Sequence, residues 1–367
     1  MPESAPPTPA LSEILLEVLY YLSLSVPAAI GITVAALAIP EARGGVVSRR
    51  VRALAAPAAV FVIAVAVLQF LSAVARFGHT GLVGAASMGV VSEFVASPPS
   101  RGSAGGATTL AQFGIFVLVA AGLVGMRSRD SRGLAIAVTA ITVIGAMIPH
   151  IPTSFSPIDG LVRNVLIAAH ILGMMFWVGG LIVLAAAGII GRRTRGGLDT
   201  DARAAQDWIQ IWERFTVVAL YSVGALLVSG AWLSWTHVGT PSQLLTTAYG
   251  RYLAIKLVLV LALLVAGAYN TRVLIPRIRA AQHGGDAHTV FHLAVRHFPV
   301  VVVAESVVTV GILFVVPFLR GSARTEAGWP GAGPFDLTVF ATGLGLVALT
   351  AVALWAGTRT APRSRTP

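Results

Sequence analysis

Residues 162–190 read VRNVLIAAHILGMMFWVGGLIVLAAAGII. Arg163, near the start, and His170 are the two ionisable groups in the whole run. A helix that crosses a membrane needs about 20 mostly apolar residues. This run has length to spare, and the surplus predicts a tilted helix or one that extends beyond the lipid. Working outward, eight further runs share the pattern, at about 16–39, 53–75, 107–126, 133–150, 214–236, 251–274, 298–318 and 336–356. Each is bounded by Arg, Gly or Pro, and Pro149-His150-Ile151-Pro152 closes the shortest of them. The expected fold is all-α: a polytopic membrane helix bundle of about nine transmembrane helices.

Composition agrees. The 367 residues are 56% hydrophobic and 11% charged, with a mean hydropathy of +0.82. Soluble domains carry about 25% charged residues, so a soluble enzyme and a disordered chain are both excluded. There is no cysteine, which removes disulfides, thiolate metal sites and thiol catalysis. No Ser/His/Asp constellation, paired carboxylates or His-Glu-x-x-His motif appears, and the chain is expected not to be an enzyme.

The formal charge of +11 would suggest nucleic acid in a soluble protein. Here its placement gives another reading. Residues 1–15 lack Lys and Arg, and basic residues follow the first run (Arg43, Arg49, Arg50, Arg52), the reverse of a cleavable signal peptide. With the N-terminus outside and the C-terminus inside, nineteen Arg fall in inner segments and six at outer ones. That is the positive-inside distribution of a multi-pass membrane protein, and no nucleic-acid partner is needed. The lipid bilayer is itself a partner. Trp232 and Trp235, near the outer end of the sixth run, fit an interfacial aromatic belt.

Organisation follows from the loops. Residues 1–155 form a four-helix region with a Gly/Ser/Pro-rich outer loop at 76–106, expected to be flexible. A second membrane region spans 156–320, and 321–367 hold the last helix and a basic tail. The inner segment 199–213, with Trp208, Ile209, Ile211 and Trp212 among charged residues, is expected to form a short interfacial helix.

Without thiolates, candidate ligands are imidazoles and thioethers. His79, His150 and His237 close the second, fourth and sixth runs on the outer side. Met147 and His150 are spaced i, i+3, on one helix face. His170 lies about 12 Å below the outer boundary, given a rise of about 1.5 Å per residue, and Met174 one turn deeper. Thioethers select Cu(I), and imidazole takes copper in either oxidation state as well as zinc and iron. A His/Met set without Cys therefore favours copper, Cu(I) or Cu(II). The bland reading stays open for most of these: Met packs in membrane helices, and His sits at interfaces. His170 differs, because a polar ring within a span is costly and marks function by default. The other intramembrane polar groups are Gln112, Lys256, Asn270 and Glu305, of which Lys256 has a snorkelling role available. Glu305 and Asn270 sit at similar depths and could pair, as a deep relay or as structure. His288 and His292, at i, i+4 in the inner loop with His283, are a further relay candidate or a solvated loop.

One resemblance is specific. Ala169-His170-Ile171-Leu172-Gly173-Met174-Met175-Phe176-Trp177-Val178-Gly179-Gly180 resembles the His…Trp-x-Gly-Gly helix of the copper resistance D (CopD/PcoD) family. Arg214-Phe215, Ser229-Gly230 and Thr246-Thr247-Ala248-Tyr249-Gly250-Arg251-Tyr252-Leu253-Ala254-Ile255-Lys256-Leu257 extend the likeness, with Asn270 and Glu305, over about residues 160–318. The resemblance implies a polytopic inner-membrane protein that moves copper towards the cytoplasm, with His170 as the best-matched ligand. It also implies packing roles for Trp177, Gly179 and Gly180, and an extracytoplasmic copper-binding protein as partner. Two other readings share the residues: a haem-binding membrane oxidoreductase, for which a second axial His beside His170 is not evident, and a non-transporting accessory protein for copper-enzyme assembly.

Overall fold

The computed structural model describes residues 7–38, 45–99, 105–129, 131–150, 158–193, 198–274 and 298–329, with scattered positions at 276–284 and 331–348. Among the described residues every regular element is a helix. Eight helices among the described residues are long and apolar enough to cross a membrane. The ninth expected span, 336–356, lies outside the described residues.

The chain divides into two compact units, one of residues 9–155 and 174–215, the other of 1–8, 156–173 and 216–367. The first unit holds α1 (Leu11–Ile32), α2 (Val46–Ala53), α3 (Ala55–Phe77), α4 (Leu82–Ala85), α5 (Met88–Ala96), α6 (Gly106–Ser128) and α7 (Arg132–Met147). Two long helices, α8 (Ile158–Arg193) and α9 (Leu198–His237), contribute residues to both units. The second unit continues with α10 (Gln243–Thr246), α11 (Ala248–Tyr269), α12 (Phe298–Val315) and α13 (Ala323–Glu326).

In the first unit α1 packs on α3 and α7, and α6 packs on α3 and α7. Small residues make this possible, since apolar helices in lipid associate by close packing. A Cβ at Gly31 of α1 would meet the Ala135 carbonyl of α7 at 2.8 Å. Gln112 is absorbed here: its Nε2 donates to Tyr20 Oη at 2.8 Å and to the Gly145 carbonyl at 2.9 Å. Its role is to tie α1, α6 and α7 together.

Three local expectations need correction. Segment 199–213 is no separate interfacial helix. It is the first part of the 40-residue α9, which at about 1.5 Å per residue is roughly twice as long as the hydrocarbon is thick. Its Trp208, Ile211 and Trp212 are buried in the first unit rather than laid on lipid, and Asp207 Oδ2 accepts the Val46 N–H at 2.7 Å. Trp232 is likewise buried, 5.3 Å from Trp235 between ring centres, so it packs within the protein. The outer loop contains α4 and α5, whose Ala85 and Phe94 close over Val74 of α3. Apolar residues interleaved with the glycines drive that packing.

Candidate functional site

His170 stands on α8 within a candidate span, Leu161–Gly191. A glycine sets its surroundings. At Gly173 a Cβ would meet the Ser222 carbonyl of α9 at 2.8 Å, so the two helices approach closely there. One turn away the approach brings His170 to Ser229, with Nδ1 and Oγ 2.9 Å apart. Ser229 is fully buried, and its single hydroxyl hydrogen goes to the Ala225 carbonyl of its own helix. Its oxygen must therefore accept from the ring. This hydrogen-bond network assigns the neutral His170 as the Nδ1–H tautomer, leaving the Nε2 lone pair free. Gly230 keeps space beside the ring: a Cβ there would lie 3.8 Å from His170 Cε1.

Met174 follows one turn on in α8. In the first unit its Sδ lies 3.5 Å from Ser25 Oγ, but that hydroxyl donates to the Tyr21 carbonyl at 2.8 Å. A thioether is the weaker acceptor, so the sulfur keeps its lone pairs. Met175 is fully buried and serves packing. Gly179 and Gly180 are steric requirements: a Cβ on the first would strike the Ser25 backbone carbonyl of α1, and one on the second the Phe215 ring of α9.

His237 ends α9 with its own network. Its Nδ1 lies 2.7 Å from the Leu233 carbonyl and 2.9 Å from Thr236 Oγ1, whose hydroxyl itself donates to Leu233. The same logic assigns Nδ1–H here and frees Nε2. The ring stacks on Tyr249, with centres 5.6 Å apart and planes 8° from parallel. Tyr249 belongs to the Thr-x-Tyr-Gly-Arg signature, whose local role is a helix cap. Thr247 Oγ1 accepts the Gly250 N–H at 3.0 Å, and the Glu326 carboxylate accepts the N–H groups of Ala248 and Tyr249. Gly250 has no room for a side chain, because a Cβ would strike the Gln243 carbonyl.

The remaining candidates stand apart from these networks. His79 is exposed just past α3, in the left-handed region at φ 49°. His150 is exposed at the end of a 3₁₀ turn after α7, with Met147 half-buried before it. Among the described residues, no three His, Asp or Glu side chains gather where a metal ion could be held. Asn270 and Glu305 do come together, with Nδ2 donating to Oε1 at 2.7 Å. His288, His292 and His283 lie outside the described residues. The Ser229 contact to His170 and the Glu326 cap were the functional details that sequence reading missed. A small polar residue in mid-span was the available signal for the first.

Fold and site together define a multi-pass, all-α membrane protein with a part-buried imidazole and thioether on α8 and a buried amide–carboxyl pair where α11 and α12 pack. Residues 209–319 match the family model of copper resistance protein D, CopD. Over this segment, under a third of the chain, the protein is similar to copper resistance protein D. The match takes in Ser229, His237, the Tyr249-Gly250-Arg251 cap, Lys256, Asn270 and Glu305, and starts after His170. Comparisons with curated proteins and with solved structures give no match.

Proposed function

We propose that this protein takes copper ions from the extracytoplasmic side and passes them towards the cytoplasm, with His170 as the central ligand. The observation that carries this is the 2.9 Å contact between His170 Nδ1 and Ser229 Oγ, from which the Nδ1–H tautomer is assigned. An imidazole held by Nδ1–H, with Nε2 free, is how proteins orient a metal-ligating histidine. Met174, one turn on with its lone pairs uncommitted, supplies the soft donor that favours Cu(I). Copper moves by exchange between imidazole and thioether. If each candidate span crosses once, alternation puts His79, His150 with Met147, and His237 on the side where α8 begins. There they serve as first-contact ligands, and an extracytoplasmic copper-binding protein is the natural donor.

Copper accumulation should be measured in cells expressing the wild type and His170→Ala at equal membrane levels. The variant is expected to lose most of the protein-dependent accumulation, and unchanged accumulation would sink the route. Flux into proteoliposomes separates transport from an accessory role, since a non-transporting protein would bind copper there without moving it.

A further inference from the structure

A second buried polar pair joins α11 and α12. Asn270 opens a π turn, Asn270–Leu274, that ends α11, and Glu305 lies within α12, which packs on α11. Asn270 is 0% exposed and Glu305 is 5% exposed. The hydrogen bond from Asn270 Nδ2 to Glu305 Oε1, at 2.7 Å, is the one that the carboxyl receives among the described residues. Asn270 Oδ1 is buried with no donor. Nearby hydroxyls cannot help either group. Thr271, Ser306 and Thr309 each donate to a carbonyl of their own helix, at 2.9, 2.8 and 2.7 Å. Lys256, Tyr269 and exposed Arg272 are the titratable groups nearest in sequence on α11 and its turn, and α12 carries none besides Glu305. No Arg, Lys or His among the described residues forms an ion pair with Glu305.

The two deficits are complementary. An ionised carboxylate with one amide donor, inside a membrane helix, carries a large desolvation cost. The amide oxygen beside it lacks a donor, a further cost. One proton removes both: the neutral acid accepts from Nδ2 through its carbonyl oxygen and donates its O–H to Oδ1. We propose that Glu305 and Asn270 form a proton-binding site, an acid–amide pair that takes up and releases H⁺ within the membrane. The donors are hard oxygens, which do not suit Cu(I), so the pair stands apart from the copper ligands. Its chemistry holds whether or not His170 binds copper.

Infrared difference spectroscopy across pH, on the full chain in lipid, tests this. A protonated carboxyl band sensitive to H₂O/D₂O exchange is expected, fading as pH rises and absent in Glu305→Gln. Asn270→Ala should shift the band as the acid loses its partner. Glu305→Gln mimics the acid, because its amide both accepts from Nδ2 and donates to Oδ1, so it should melt like the wild type. No band at any pH where the protein stays folded, or a band that survives Glu305→Gln, overturns the site. A band that does not titrate overturns the uptake and release. Sodium-dependent stabilisation at fixed pH, abolished by Glu305→Gln, would place a hard cation there instead and overturn the proton assignment.

Discussion

At the residue scale, the contact between Ser229 and His170 decides which nitrogen is available. The serine has one hydrogen and gives it to Ala225, so its oxygen can only accept from the ring. Removing it frees the ring to rotate and to change tautomer. Ser229→Ala is expected to weaken copper binding by about 10–100-fold, the usual loss when a ligand's supporting partner is removed. Competition with a chelator on purified protein measures this, and an unchanged affinity would show that the serine does not hold the ligand.

The α8 helix shows at the element scale how one sequence divides its labour. Its glycines at 173 and 179 mark close approaches to α9 and α1, and the next residue, Gly180, admits the Phe215 ring. Gly179→Ala places a methyl against a backbone carbonyl that cannot step aside, and overpacking of this kind costs about 1–3 kcal/mol. A lowered melting temperature in detergent is the expected reading. Glu326→Ala removes the carboxylate that caps α11 at Ala248 and Tyr249; it should cost about 1 kcal/mol and loosen the ring stacked on His237.

These elements also show what sequence could reveal. The spans were legible because hydropathy is local and summed over twenty residues. The pairing of Asn270 with Glu305 was legible too, since depth along a span can be counted from its ends. The continuity of α9 was not. Trp208 and Trp212 look the same in sequence whether an amphipathic turn lies on lipid or packs into protein, and only the tertiary partner decides. For the same reason Tyr249-Gly250-Arg251 gave a pattern without a cause: Glu326, far along the chain, supplies the cap.

For the whole molecule, the arginine count predicts orientation. Nineteen Arg against six predict that the ends of α3, α7 and α9 lie outside, where His79, His150 and His237 would meet copper first. The absence of cysteine makes this directly testable, because one introduced thiol is the only reactive one. Val83 of α4 is 91% exposed, and Ser128, exposed at the end of α6, lies one candidate span further along. With a membrane-impermeant maleimide, Val83→Cys should label in cells with an intact inner membrane, and Ser128→Cys only after permeabilisation. The reverse pattern would turn the three histidines towards the cytoplasm. They would then be capture ligands for export, or release ligands for uptake. Labelling therefore fixes which side the three histidines face, and flux then gives the direction, since the ligand chemistry is identical both ways.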